Sequence, residues 1–83
     1  MSEKAEKIAE KKAELVFSNA NKEVIINEGK LTLRVEGIMD DLNELLAKVS
    51  NYSIAMQKYL KKKSLDLILT TEGNAYSLEL EIY

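Results

Sequence analysis

The order of apolar and polar residues divides the chain into a helix and two strands, followed by a second helix and two more strands. Residues 2–18 are rich in Ala, Glu and Lys, which favour helices, and they predict the first helix. Its apolar side is thin, so Leu15, Val16 and Phe17 are expected to bring its end into the core. The first turns carry only Ala and charge, which predicts a peripheral or frayed segment over 1–12.

Two β-like runs, residues 23–27 and 30–36, flank Glu28-Gly29. The apolar residues of the second run alternate on one face: Leu31, Leu33 and Val35. This alternation is typical of a half-buried strand. A two-residue Glu-Gly loop pairs Ile26 with Leu31 on that face, so the sequence predicts a β-hairpin of open turn type.

The period changes to that of a helix from Ile38 to about Lys63. Its apolar residues recur at alternating spacings of four and three: Ile38, Leu42, Leu45, Val49, Tyr52, Met56 and Tyr59. About 25 helical residues span roughly 37 Å, whereas a seven-residue strand spans about 23 Å. The sheet therefore cannot cover the whole apolar seam. Either the first helix covers the rest, which is slightly favoured, or the seam or an open sheet edge forms a symmetric homodimer.

The last part of the chain repeats the hairpin pattern, with Leu65, Leu67 and Leu69 alternating before Glu72-Gly73. A Glu72-Gly73 loop would pair Leu69 with Tyr76. The predicted fold is α+β, a two-layer sandwich in αββ–αββ order, with a four-stranded antiparallel sheet and two helices on one face. A single domain over 1–83 is expected. The echo between the halves arises from duplication or from the ease with which hairpins resemble one another.

Composition removes most routes to catalysis. The 83 residues include no Cys and no His, so they offer no thiol or imidazole group and no disulfide. The serines have no histidine partner, and the three glycines form no phosphate-binding loop. We therefore expect a protein that is not an enzyme and has no cofactor. The apolar runs are too short for a membrane span, and the charged N-terminus does not fit a secretory signal, which predicts a cytoplasmic protein.

The acidic residues Asp40, Asp41 and Glu44 invite a metal-site interpretation, because carboxylate oxygens bind divalent cations. However, they lie where the second helix begins, and carboxylates there stabilise the helix dipole without any ligand. No second set of ligands accompanies them. The sequence therefore predicts no metal site.

The outer face of the sheet is predicted to be polar, with a few residues that suit partner binding: Ile25, Arg34, Ile68 and Tyr83. The expected function is a small interaction and oligomerisation module that binds or regulates another macromolecule. Its predicted partners are a second copy of the chain and another protein.

A weak nucleic-acid binder is the alternative function. It would use the lysines at the end of the second helix: Lys58, Lys61, Lys62 and Lys63. Tyr59 could stack on a base there, although its place in the seam favours the core. Lysines at a helix C-terminus are stabilising without a ligand, and the net charge of −2 disfavours nucleic acid, so this function ranks second.

Overall fold

The computed structural model describes residues 2–83 and confirms the predicted α+β fold. In chain order its elements are α1 (Ser2–Val16), β1 (Asn21–Asn27), β2 (Lys30–Ile38), α2 (Leu42–Leu60), β3 (Leu65–Glu72) and β4 (Ala75–Ile82). The four strands form one antiparallel sheet in the order β1-β2-β4-β3. The first hairpin and the second hairpin thus meet through β2 and β4, which leaves β1 and β3 as the two edges.

The core lies between one face of the sheet and the two helices. Alternating residues of β2 and β4 supply most of its strand side: Leu31, Leu33, Val35, Tyr76, Leu78, Leu80 and Ile82. α1 packs on β1, and α2 packs on β4 and on α1. Tyr52 of α2 is fully buried, and its hydroxyl donates a hydrogen bond to the Ala9 carbonyl oxygen of α1 at 3.1 Å. The two helices are therefore joined by a buried polar contact as well as by packing.

α2 is shorter than the predicted 38–63. Ile38 continues β2, where it pairs with Ala75, and the helix starts after Asp41, whose side chain accepts a hydrogen bond from the Asn43 N–H at 3.2 Å. The helix ends at Leu60, and its C-cap residue Lys61 takes a left-handed conformation at φ 59°. Asp41 is a preferred N-cap residue, so the start of α2 follows from its capping chemistry.

Within the predicted seam of α2, the buried residues are Leu45, Val49, Tyr52 and Met56. Ile38 is 66% exposed and Tyr59 is 44% exposed, so the prediction was wrong at both ends of the seam. At 19 residues the helix is roughly 28 Å long, and an eight-residue strand is roughly 26 Å long. The length mismatch that suggested a partner is therefore absent.

The core contact of α1 lies earlier in the helix than the sequence suggested. Ala9 and Ala13 are fully buried and Phe17 follows them into the core, whereas Leu15 is 76% exposed on the opposite side. The segment 1–12, expected at the periphery, thus contributes a buried residue at Ala9. A helix that contacts its neighbours through Ala can approach them closely, and the bond to Tyr52 shows such an approach.

The two hairpins use different turns. Glu28 and Gly29 both have positive φ, 53° and 78°, which is the type I′ arrangement, and the predicted pairing of Ile26 with Leu31 is confirmed. In the second hairpin Glu72 pairs with Ala75, so the loop is Gly73-Asn74 rather than Glu72-Gly73. Only Gly73 has positive φ there, as in a type II′ turn.

The second hairpin is therefore shifted by two residues from the predicted register. Leu69 pairs with Leu78, not with Tyr76. The shift is even, so it leaves every apolar residue on the predicted face of the sheet.

Gly37 of β2 pairs with Tyr76 of β4, and the Tyr76 ring lies close above it. A Cβ added at Gly37 would lie only 3.2 Å from the Tyr76 hydroxyl oxygen.

Candidate interaction surface

The apolar face of β3 has no helix above it. The register pairs its leucines with core residues: Leu65 with Ile82, Leu67 with Leu80 and Leu69 with Leu78. Leu65 is nevertheless 38% exposed and Leu67 36% exposed, whereas Leu80 is fully buried. The helices lie over β1 and β4, so the apolar face of the sheet extends one strand beyond its cover.

Because α1 packs on β1 and α2 packs on β4, one side of α2 faces the β3 end of the sheet. It is the side turned away from α1, and its residues follow one another at spacings of four, four, three and four: Leu42, Leu46, Ser50, Ser53 and Gln57. None of them is charged, and Leu42 and Leu46 are 45% and 41% exposed. Together with the strand they form what we call the β3–α2 surface, which consists of Leu42, Leu46, Leu65, Leu67 and Leu69.

The backbone of β3 is open along the same edge. Ser64 and Tyr83 exchange both of their N–H···O bonds, at 3.0 and 3.1 Å, which fixes the alternation of the antiparallel ladder. The N–H and C=O groups of every second residue consequently point away from β4: those of Leu65, Leu67, Leu69 and Thr71. Within residues 2–83 no strand lies beyond β3, so this edge can accept another strand.

The β1 edge, in contrast, is covered by α1. The outward N–H of Ile26 donates a hydrogen bond to Glu6 Oε2 at 3.2 Å. Further along, Lys22 Nζ forms an ion pair with Glu14 at 3.1 Å and a hydrogen bond to the Ala20 carbonyl oxygen at 2.8 Å. These contacts occupy the side on which another strand would have to pair.

The partner-binding residues suggested by the sequence share the outer face but do not form one patch. Ile25 lies on the β1 edge and Ile68 on the β3 edge, with β2 and β4 between them. Ile25 lines a shallow depression with Tyr83, whereas Ile68 lines a separate depression. Arg34 lies between the two edges, on β2. Ile68 is the most exposed of the three apolar residues, at 65%.

Polar contacts occupy much of this outer face. Arg34 lies between two carboxylates, with Nη1 3.7 Å from Glu23 and Nε 3.6 Å from Glu79. The Tyr83 hydroxyl donates to Asp66 Oδ2 at 2.9 Å, and this hydrogen bond raises the pKa of Tyr83. Both side chains are thus engaged in cross-strand contacts that stabilise the face.

The lysine cluster lies where the sequence placed it, at and just after the end of α2: Lys58, Lys61, Lys62 and Lys63. Lys62 is half-buried beside Gly29, and the other three are exposed. Tyr59 is exposed among them rather than in the core. An aromatic ring and several cations are therefore accessible together at this end of the molecule.

The acidic residues at the start of α2 serve the helix itself, since Asp41 is its N-cap and Glu44 lies 3.8 Å from Lys48 one turn later. Across residues 2–83, no three acidic side chains gather closely enough to ligate one metal ion. Neither described helix combines the length and the apolar character that crossing a bilayer requires.

Comparison with known proteins gave no relative: no family model matched the chain, and a search of curated proteins found no significant match.

The β3–α2 surface is the feature that the sequence did not identify. The leucines of β3 alternate as core residues do, and the sequence offers no direct measure of where a helix lies across a sheet. The available signal was the small contact side of α1. Because Ala9 and Ala13 let α1 lie close to α2, the helix layer is narrower than the four strands beneath it.

Proposed function

We propose that the protein is a non-enzymatic interaction module that binds another protein chain through the β3–α2 surface and the open edge of β3. The observation that carries this proposal is the contrast between Leu67 and its cross-strand neighbour Leu80, which are 36% and 0% exposed on the same face of one sheet. Contiguous exposed apolar side chains beside an open strand edge are typical of a docking site.

The energetics favour a partner at this surface. Complete burial of a leucine contributes about 1.5–3 kcal/mol, so covering the exposed share of each contributes roughly 1 kcal/mol. Strand addition would also give partners to the outward backbone groups of β3, and these bonds set the register of the incoming chain. Apolar area and backbone pairing act on the same edge, which suits an extended segment of protein.

The proposed role is binding without catalysis, and the proposed location is the cytoplasm. The non-catalytic role is supported by the lack of thiol and imidazole groups in the whole sequence, which leaves no side-chain type whose ordinary pKa lies near neutral pH. The carboxylates of the outer face are largely engaged with Arg34, Lys30 and Tyr83. A chain without cysteine also needs no oxidising compartment.

Site-specific photo-crosslinking tests the proposal in the cells that make the protein. A photoreactive phenylalanine derivative at Leu67 should yield adducts of higher mass, because that position lies inside the docking surface. The same residue at Ser77 on the outer face of β4 serves as the matched control and should give far fewer adducts. Equal yields from the two positions, or no adduct from Leu67, would refute the proposal.

Nucleic-acid binding is a second candidate, favoured by the exposure of Tyr59 among the lysines. Binding of this kind would weaken steeply as salt is raised, because phosphate contacts release counterions. Replacing Lys58, Lys61 and Lys63 by Ala should abolish it, whereas Leu67→Lys should not weaken it. A titration of labelled single-stranded and double-stranded DNA at low salt decides the matter, and absence of binding there removes this candidate.

A further inference from the structure

We infer that the chain docked on the β3–α2 surface is a second copy of the protein, paired antiparallel through β3 about a two-fold axis at Ile68. This inference rests on the proposed function and specifies its partner. The two sheets would then join into one sheet of eight strands, with the four helices on the same side. The pairing is argued from the register of β3, from its charges and from the opposite edge of the sheet.

The outward backbone groups of β3 are complementary to themselves in this register. With Ile68 on the axis, Leu67 lies opposite Leu69 of the second copy and Leu65 lies opposite its Thr71. All four residues with outward N–H and C=O groups thereby gain partners. Moving the axis to Leu67 would leave Thr71 unpaired and would place Asp66 against Ile68, so the register centred on Ile68 is preferred.

The outer face of β3 is also matched in this register. Ile68 would lie against Ile68 of the second copy, in a pair of the close, non-hydrogen-bonded type with Cα atoms about 4.5 Å apart. This contact gives a role to an isoleucine that is 65% exposed and whose cross-strand neighbour is Glu79. The one charged residue of the paired segment, Asp66, would lie opposite Thr70, so no like charges face each other.

A second copy also covers α2, which a lone strand would not. Neighbouring strands are about 4.8 Å apart, so β4 of one copy and β4 of the other would be separated by roughly 14 Å across the joined sheet. The two α2 helices lie above those strands. The axis makes the two α2 helices antiparallel, and each helix begins at the Thr71 end of β3. At that separation Leu42 and Leu46 of one copy can therefore meet the C-terminal half of α2 of the other, on the side that carries Ser53 and Gln57. A single foreign strand would leave Leu42 and Leu46 exposed.

The difference between the two edges limits the assembly to two chains. Because Glu6 occupies the outward N–H of Ile26, β3 of one copy cannot add to β1 of the next without displacing α1. A head-to-tail fibre is thereby disfavoured, and the isologous contact of β3 with itself closes after one addition. The expected product is a dimer.

Sedimentation equilibrium with charge variants at Ile68 tests the dimer and its axis together. The unmodified chain should have twice its 9.4 kDa mass at high micromolar concentration. Ile68→Lys should raise the dissociation constant by about tenfold to a hundredfold, since the axis places two like charges side by side. Ile68→Glu should do the same, and an equimolar mixture of the two variants should recover the dimer. The matched control is Ile25→Lys on the outer face of β1, which should leave the dimer intact.

Circular dichroism at low concentration confirms that each variant is folded. A monomer at high micromolar concentration overturns the inference, and so does a dimer that Ile68→Lys does not weaken. These failures are distinguishable from failure of the proposed function through the adducts at Leu67. If Leu67 crosslinks only to other proteins, the module binds partners but is not a dimer. If Leu67 gives no adducts, both the function and the dimer fall.

Discussion

At the β1 edge of the sheet, α1 lies against the strand and the Glu6 carboxylate accepts a hydrogen bond from the outward N–H of Ile26. Within the described residues, the β3 edge has neither a helix nor such a carboxylate. The two strands are similar in length and in apolar content, with Val24 and Ile26 on one and Leu67 and Leu69 on the other. Their different exposure therefore comes from the helix layer, which is displaced towards β1. The comparison shows that the apolar pattern of a strand predicts its face but not its cover.

Truncation of two paired leucines offers the strongest test of this difference. Leu80→Ala should lower the free energy of unfolding by about 3 kcal/mol, because it leaves a cavity in a covered part of the core. Leu67→Ala, on the neighbouring strand and the same face, should lower it by about 1 kcal/mol or less. Urea denaturation at low protein concentration measures both. Equal losses would mean that β3 is covered.

Alkaline pH should lower the free energy of unfolding through Tyr52, which lies in the covered part of the core. Burial raises the pKa of Tyr52 above its ordinary value of 10.0, so the folded state holds a proton that the unfolded state releases. The stabilising contribution is intact below about pH 10 and is lost as the pH rises toward the raised pKa, by up to about 1.4 kcal/mol per pH unit.

Thermal or urea unfolding between pH 9 and about 12 measures this loss. The decline should be less steep for Tyr52→Phe than for the unmodified protein. The control is Tyr83→Phe, which removes an exposed phenol and should alter the slope less. Identical slopes for all three proteins would argue against ionisation of Tyr52 as the cause.

Removal of the edge carboxylate should make the two edges more alike. Glu6→Ala is expected to lower the free energy of unfolding by about 1 kcal/mol, because the Ile26 N–H loses its acceptor. Hydrogen exchange of that amide should accelerate, and the protein should aggregate more readily. Glu10→Ala, at an exposed position of the same helix, is the control. Unchanged exchange at Ile26 in Glu6→Ala would show that the carboxylate does not protect this edge.

The smallest expected effect concerns the turns that precede the two central strands. Glu28→Asn should raise the free energy of unfolding by about 0.5–1 kcal/mol, because Asn tolerates the left-handed conformation that Glu28 adopts. The same change at Glu72 should not stabilise the protein, since Glu72 lies within β3. Thermal denaturation of the two variants compares the hairpins directly. Equal gains would contradict the different turn types.

The sequence was sufficient for the class of fold and for most of the core. Periodicity predicted burial correctly where an element faces the core along its length. This holds for the alternating residues Leu31, Leu33 and Val35 of β2 and for Leu45, Val49 and Tyr52 of α2. The register of the second hairpin was missed because Glu72-Gly73 and Gly73-Asn74 place the same residues on the same face. Only the turn geometry at Gly73 distinguishes the two loops.

The start of α2 and the β3–α2 surface depended on contacts that periodicity does not show. Ile38 fits the helical spacing, yet it joins β2 because its backbone pairs with Ala75 and the N-cap at Asp41 begins the helix later. Ile68 was singled out as an exposed apolar residue, but its neighbours depend on strand order, which places two strands, β2 and β4, between it and Ile25. Long-range placement of elements decided each of these cases.

The central pairing of β2 with β4 has a consequence for the kinetics of folding. Each hairpin closes locally and can form in about 1–10 μs, whereas Leu31 must find Ile82 near the other end of the chain. That search closes a loop that contains all of α2, so its entropic cost falls on the joining of the two hairpins. Until they join, β2 and β4 are edges as well. The interval before that step is when the chain exposes most strand edge, and association between chains is then hardest to prevent.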